Sequence, residues 1–353
     1  MTISDWLKTA GAALNDADIS TARLDCLVLL EDELGKDRAW ILSHSEEELQ
    51  GSVLKKLNTK ITQRAQHIPL AYIRGHAEFY GRNFAVNEHT LVPRPETETM
   101  IDMLKRVRNL EADVLAFQTE RRGRKPNKKR YTFEENKPSS TLVKTVEGYK
   151  VVWGKPKRPA LQQAPAPVVG KPLRHHDEDF HLVDIGTGSG AIAITAKLEM
   201  PAATVTAIDI DEKCLETARA NAERLRADVT FLQGNLLGPL VQKEEERRKK
   251  VDTGSDLQPS SFYILLCNLP YVPDDFQINT AATHEPRHAI FGGVDGLDLY
   301  REMFAQIQTY DWKPAYILTE SLPPQHEALT GIAKAAGYTL ERTDDFIQLF
   351  ARA

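Results

Sequence analysis

The strongest constraint on how this chain folds lies at residues 181–200, HLVDIGTGSGAIAITAKLEM. An apolar run meets glycines at 186, 188 and 190 and resumes at once with helical composition. Such a segment reads as a buried strand that turns directly into a helix, because glycine supplies the positive φ that a tight turn requires. The alternation then continues. TVTAIDI precedes EKCLETARANAERL, and VTFLQG, FYILLCN, AYILTES, YTLERT and FIQLFARA follow as further strand-like runs. Strands alternating with helices predict an α/β, Rossmann-like domain, with a mostly parallel sheet covered on both faces.

The rest of the chain is organised differently. Over residues 3–66, Leu24, Leu27, Val28 and Leu30, then Leu49, Val53, Leu54, Leu57 and Ile61, keep helical spacing, which predicts a small helical domain over 1–75. EFYGRNFAVNEHTLV, turning at Gly81-Arg82-Asn83 and halted by Pro93 and Pro95, predicts a β-hairpin linker over 76–104. Residues 105–176 carry 18 Lys/Arg and 6 Asp/Glu, a local charge of +12, which leaves −17 for the rest. RRGRKPNKKR and PKRPALQQAPAPVVGKP lack apolar periodicity, so this basic stretch is expected to be a largely flexible insertion, broken only by the strand-like YKVVW. The last domain is then 177–353, with a polar surface loop expected over 243–261.

No run approaches 18 consecutive apolar residues, and MTISDWLKTAG lacks the pattern of a secretory leader, so a cytoplasmic protein is expected. Cys26, Cys214 and Cys267 are widely spaced, with no C-x-x-C, which argues against a disulfide framework and a zinc knuckle. His284-Glu285-Pro286-Arg287-His288 spells H-E-x-x-H. Zinc ligation by that motif needs both imidazoles on one continuous helix, which Pro286 breaks, so no metal is expected.

The glycine turn is a ligand site in outline. Gly186, Thr187, Gly188, Ser189 and Gly190 offer bare backbone and the N–H groups of a helix start, and Asp209 ends the next strand 23 residues after Gly186. A carboxylate there can accept both hydroxyls of a ribose, which implies an adenosine-type ligand. The turn alone leaves NAD and S-adenosylmethionine both open.

Asn268-Leu269-Pro270-Tyr271 follows the strand FYILLC, at the sheet edge where ligands of such folds bind. It is close to the Asn/Asp-Pro-Pro-Tyr of methyltransferases that act on planar nitrogen. A carboxamide nitrogen is a poor nucleophile because its lone pair is delocalised. Acceptors at its two N–H groups, the Asn268 side-chain oxygen and the Leu269 carbonyl at about 2.7–3.2 Å, would draw it toward sp³ and aim it. Pro270 stiffens the turn, and the Tyr271 ring can stack on a planar acceptor.

With these segments in view, the chain resembles the release factor glutamine methyltransferases, the PrmC/HemK family. The resemblance runs through ARLDCLVLLEDELGKDRAWIL, PLAYIRGHAEFYGRNFAVNEHTLVPRPETE, LVDIGTGSGAIAI, NLPYVP and EPRHAIFGGVDGL, in that order. It implies a class I methyltransferase fold with a seven-stranded sheet. It also implies S-adenosyl-L-methionine as donor, and N5-methylation of the glutamine in the Gly-Gly-Gln motif of peptide-chain release factors. By resemblance, Gly186 to Gly190, Asp209, Asn235, Leu236 and Asn268 hold the cofactor, and Asn268 to Tyr271 hold the glutamine amide, with Asn268 and Tyr271 catalytic. Pro95, Glu96 and Thr97 would lie near the methionine end, Glu285 and Gly292-Gly293 would shape the floor, and the helical domain would dock the release factor.

Two positions depart from the family pattern: Leu269 replaces a proline, and Asn235 replaces an aspartate beside the adenine. The basic insertion has no family counterpart; contact with RNA or a ribosome-bound partner is the functional reading, a solvated linker the simpler one. An adenine-N6 nucleic-acid methyltransferase accounts for only the Rossmann half and the tetrapeptide. An NAD-dependent dehydrogenase accounts for only the glycine turn and Asp209, and a non-catalytic adaptor is the outcome if Leu269 spoils the site.

Overall fold

The computed structural model describes residues 1–107, 141–145, 148–152, 180–242, 262–310 and 313–353. The N-terminal region is helical: α1 (Ile3–Asp16), α2 (Ala22–Leu34), α3 (Arg38–Ser43), α4 (Gly51–Ala65) and α5 (Leu70–Arg74). Thr2 and Asp37 cap α1 and α3 with their side chains, each satisfying a first-turn N–H. Trp6, Leu14, Leu29, Leu30, Ile41 and Leu57 close the core between these helices. α2 is less regular than its apolar spacing suggests. Leu24 is exposed, and Asp25 is buried instead, its carboxylate accepting from Arg64 Nε of α4 at 2.7 Å.

The hairpin β1 (His76–Phe79) and β2 (Arg82–Ala85) follows, turning at Tyr80-Gly81, where φ is +52° and +71°. Two consecutive left-handed residues suit a two-residue hairpin turn. Tyr80 tolerates its strained backbone because its N–H donates to Glu98 at 2.8 Å and its hydroxyl to Asp102 at 2.8 Å. The strand stops at Ala85, well short of Val92, because Asn87 and Thr90 fold into a side-chain-locked turn. A helix, α6, is present over 98–107.

Within the stretch read as the basic insertion, β3 (Thr141–Thr145) and β4 (Gly148–Val152) pair antiparallel. The rest of that stretch beyond residue 107, and the 243–261 loop, lie outside the described residues.

The C-terminal half contains β5 (Phe180–Ile185), α7 (Ala191–Glu199), β6 (Thr204–Asp209), α8 (Glu212–Leu225), β7 (Thr230–Gln233), a short α9 over 238–242, and β8 (Phe262–Cys267). After it come α10 (Arg287–Ile290), α11 (Asp298–Thr309), β9 (Tyr316–Glu320), α12 (His326–Ala335), β10 (Tyr338–Asp344) and β11 (Ile347–Arg352). The sheet has seven strands in the order β10-β11-β9-β8-β5-β6-β7, parallel from β9 to β7 and antiparallel at β11 and β10. The strand readings made from the α/β alternation all fall within it.

Successive strand residues point to opposite faces, and both faces are covered. Leu182, Ile264 and Leu266 pack with α6 and α7 through Met100, Leu104, Ile192 and Ala196. Val183, Leu265 and Cys267 pack with α11 and α12 through Tyr300, Phe304 and Leu329. Ligands of open parallel sheets bind at the carboxyl ends of the strands, where the turns after β5, β6, β8 and β9 converge. Among the described residues no helix is long and apolar enough to cross a membrane.

Candidate active site

The turn after β5 is held by backbone. The Gly186 and Thr187 N–H groups donate to the Ile208 carbonyl at 2.9 and 3.0 Å, and Gly190, at φ +81°, starts α7. A Cβ on Gly190 would lie 2.8 Å from Ile194 and 3.1 Å from Ala218, so glycine is what lets α7 sit close. Beneath the turn Asp184 is fully buried; its Oδ2 accepts from Thr187 Oγ1 at 2.6 Å and from the Ala193 N–H at 3.1 Å. Burial pushes its carboxyl up to about 7, against the pull of those two donors.

Asp209 faces this turn from the end of β6. Its Oδ2 accepts the Gly188 N–H at 2.8 Å and its Oδ1 the Asp211 N–H at 3.0 Å. Each oxygen retains lone-pair capacity for a further donor such as a ribose hydroxyl. Burial raises its pKa, and the two amides work against the rise. The next residue, Ile210, is 62% exposed, an apolar surface one position from that carboxylate. Nothing in the sequence singled out Ile210, and only its exposure reveals it. A glycine cradle, a carboxylate with free lone pairs and an apolar ledge together fit an adenosine-bearing cofactor.

The turn after β8 is the second half of the site. Asn268 Nδ2 donates to Thr97 Oγ1 at 3.1 Å, which leaves Oδ1 as the acceptor of that amide. Neighbouring carbonyls are already engaged: Cys267 O accepts from Tyr300 at 3.0 Å, and Tyr271 O from Gln325 at 2.7 Å. Leu269 is buried, and its Cδ2 would stand 3.2 Å from a Cβ on Gly186, so the acceptor turn rests directly on the glycine turn. Gly292 packs against the same turn from the other side, where a Cβ would meet Pro270 O at 2.2 Å.

Tyr271 donates from its hydroxyl to Glu320 Oε1 at 2.9 Å. Glu320 ends β9, is buried, and has no hydrogen-bond partner for Oε2 among the described residues. Burial pushes it up to about 7, opposed by the Tyr271 hydroxyl. Burial and the neighbouring Glu320 carboxylate hold the Tyr271 phenol well above its ordinary value. The sequence reading missed Glu320 because nothing local distinguishes it from a strand-end glutamate.

The remaining site expectations divide. Thr97 reaches the acceptor turn, and Glu96, on the same 3-10 turn (Pro95–Thr97), is raised chiefly by burial. Leu236 is buried at φ +47° in the core beneath the site. Asn235 is exposed and donates to Glu302 Oε1 of α11 at 2.6 Å, so its side chain is engaged with that helix. Glu285 anchors the proline-rich segment, accepting from Arg94 Nη2 at 2.5 Å and from the Val92 N–H at 3.0 Å. His284 ends a 3-10 helix, Glu285 is extended and α10 begins only at Arg287, so the H-E-x-x-H string has no continuous helix. Among the described residues no cluster could hold a metal ion.

Comparison with known proteins adds a second line. The PrmC N-terminal domain model matches residues 5–75, and a methyltransferase domain model matches 176–274. A release factor glutamine methyltransferase of Bacillus anthracis is 29% identical over 88% of this chain and 83% of its own length. Its counterpart in Bacillus subtilis is 28% identical over 87% and 80%. Among solved structures, a ribosomal protein L11 methylase from Lactobacillus delbrueckii subsp. bulgaricus aligns with 49% of this chain and 69% of its own. Its identity is 15% and its TM-score 0.29.

Proposed function

We propose that this chain, an S-adenosylmethionine-dependent methyltransferase that carries a PrmC N-terminal domain, methylates the side-chain N5 of the glutamine in the Gly-Gly-Gln motif of peptide-chain release factors. The observation that carries the reading is Asn268. With Nδ2 committed to Thr97, its Oδ1 and the Leu269 carbonyl stand as two acceptors on one turn, the number that a primary carboxamide requires.

When bound, S-adenosylmethionine supplies a methyl group on a sulfonium, an electrophile that needs an aligned nitrogen. Gly186, Thr187, Gly188, Ser189, Gly190, Asp209 and the Ile210 ledge hold and orient the nucleoside side of the site. Asn268 Oδ1 and Leu269 O accept the two amide protons and so stabilise positive charge as it grows on nitrogen. The Tyr271 ring, fixed by its hydroxyl on Glu320, bounds the planar acceptor. No strong base is needed, because the nitrogen sheds a proton readily once it carries the methyl group. Leu269 keeps the family's backbone carbonyl and replaces the proline ring with packing against Gly186. The helical domain docks the release factor, and the cytoplasm, where release factors meet ribosomes, is the place of action.

The test is methyl transfer from labelled S-adenosylmethionine to a purified release factor and to its Gln→Ala variant, with bulk RNA and DNA in parallel. Label on the unaltered factor alone supports the glutamine reading; label on nucleic acid moves it to adenine N6. Asn268→Ala should lower turnover by about 10²–10³-fold, the scale for removing one preorganised partner of developing charge. Cofactor affinity should change little. Turnover like the parent would remove Asn268 from the chemistry.

A further inference from the structure

We propose that Asn221 is a positioning residue for cofactor binding, whose side-chain carboxamide fixes the glycine turn by tying the Ser189 carbonyl to strand β2. The inference rests on the S-adenosylmethionine reading for what the turn holds, and on four hydrogen bonds for its mechanism.

Asn221 is fully buried in α8. Its Nδ2 donates to the Ser189 carbonyl at 2.9 Å and to the Ala85 carbonyl at 3.0 Å, while its Oδ1 accepts the Ala85 N–H at 2.7 Å and Arg224 Nη2 at 3.0 Å. Two donors and two acceptor sites are all that a carboxamide has, so its capacity is filled. Carbonyls only accept, and amide or guanidinium N–H groups only donate. The partners therefore dictate which way round this amide lies, and an aspartate of the same shape cannot replace it, because an oxygen would face both carbonyls.

The Ser189 bond matters because of where that carbonyl sits. It shares a peptide plane with the Gly190 N–H, which donates to the Thr187 carbonyl at 2.9 Å, so the plane is held at both edges. On the other side of Ser189, the Gly188 N–H is held by Asp209 Oδ2 at 2.8 Å. Gly188 and Gly190 lie at φ +55° and +81°. Glycine makes such angles accessible but does not select them, since it populates negative φ about as readily. Selection has to be imposed on the turn by its neighbours, and Asn221 imposes it from α8.

The same face of α8 also clasps the chain that leads from the hairpin toward Thr97. Cys214 Sγ donates to the His89 carbonyl at 3.0 Å, Thr217 Oγ1 accepts from Asn87 Nδ2 at 3.0 Å, Asn221 pairs with Ala85, and Arg224 Nη2 donates to the Asn83 carbonyl. Positions 214, 217, 221 and 224 follow helical spacing and meet every second residue of 83–89. Of these four, Asn221 also reaches the glycine turn. Thr217 lies one turn away on the same face and provides the comparison: losing it loosens the linker and leaves the Ser189 bond in place.

The test is calorimetric affinity for S-adenosylmethionine in the parent, Asn221→Asp, Asn221→Ala and Thr217→Val, with thermal unfolding of each. In Asn221→Asp one oxygen still accepts from Ala85 and Arg224, and the other is set against the two carbonyls. Kd should rise about tenfold to a hundredfold in Asn221→Asp and about threefold to tenfold in Asn221→Ala, and stay within about twofold in Thr217→Val even though its Tm falls. The order carries the argument, because a residue that merely filled space would tolerate aspartate, its near-copy in shape, better than alanine. Parent-like affinity in Asn221→Asp, a weaker Asn221→Ala than Asn221→Asp, or an equal loss in Thr217→Val would each overturn the proposal. If Asn221→Asp does not fold, the contrast between Asn221→Ala and Thr217→Val decides it.

If the parent does not bind S-adenosylmethionine, the cofactor reading fails, and hydrogen exchange at the Gly188 and Gly190 amides still decides the lock. Exchange there should be about tenfold faster in Asn221→Ala than in the parent, with Thr217→Val close to the parent. Equal rates in the parent and Asn221→Ala would refute it.

Discussion

Gly292→Ala asks how rigidly the acceptor turn is held. A Cβ at that position would stand 2.2 Å from Pro270 O and 2.5 Å from Gly296 O, against 3.4 Å for an ordinary contact. Backbone must therefore yield by about 1 Å, and both neighbours are constrained. Gln325 Nε2 holds Tyr271 O and Asp295 O, each at 2.7 Å, and Gly296 itself already abuts Tyr271 O. If the acceptor turn absorbs half or more of the movement, the Leu269 carbonyl is displaced by a distance that typically costs up to about 100-fold in rate. Overpacking should also cost about 1–3 kcal/mol of stability, several degrees in Tm for a chain of this size.

The assay is single-turnover methyl transfer at saturating cofactor, alongside calorimetric cofactor binding and thermal unfolding. Turnover should fall about 30- to 100-fold while cofactor affinity falls much less, because the glycine turn, although it touches Leu269, is held by its own backbone bonds to Ile208. Gly331→Ala is the control: it lies in α12 with nothing within 4 Å of a new Cβ, and should raise stability by about 0.5–1 kcal/mol. Parent-like turnover and Tm in Gly292→Ala would show that the turn gives way freely, and the reasoning from contact distance would fall.

Two further outcomes follow from the same geometry. Asp209→Ala should weaken S-adenosylmethionine binding by about tenfold to a hundredfold, the worth of a charge-assisted hydrogen bond of roughly 1.5–3 kcal/mol, measured by calorimetry; unchanged affinity would take Asp209 out of the ribose contact. Glu285→Ala removes the partner of both Arg94 and the Val92 N–H and should cost about 3 kcal/mol in chemical denaturation, the low end for a broken buried pair because Arg94 is 38% exposed. Glu285→Gln, which can still accept from Val92, should cost clearly less, and equal losses in the two variants would deny the Val92 bond any role.

What the sequence made legible was whatever is written in periodicity. α8 spans Glu212–Leu225, the stretch read as EKCLETARANAERL, because apolar spacing and the Asp211 cap are local signals. The sheet followed from alternation for the same reason. The acceptor turn and the glycine turn were visible as motifs, each being contiguous. What stayed hidden were side-chain meetings between distant segments: Thr97 with Asn268, 171 positions apart, Arg94 with Glu285, 191 apart, and Tyr271 with Glu320, 49 apart. These depend on tertiary placement, which no local pattern encodes. Asn235 illustrates the limit at a single residue, since its position after β7 was readable but its pairing with Glu302 was a matter of rotamer and neighbour. The hairpin shows the same at the backbone, where a side-chain lock between Asn87 and Thr90 ended a strand that composition alone would extend.

The contact between Leu269 and Gly186 has a consequence for inheritance. The residue that follows Asn268 touches the floor of the neighbouring turn, so the two positions cannot drift independently. Glycine at 186, at φ +73° and with Leu269 at 3.2 Å from any Cβ, has no room to change while position 269 stays large. Position 269 can exchange one apolar shape for another so long as it fills the same space. A lineage that traded a ring for a branched chain there could do so in one step, whereas a lineage that lost the glycine would need a compensating change across the contact at once. Among descendants of this chain, variation should therefore collect at 269 and be withheld from 186.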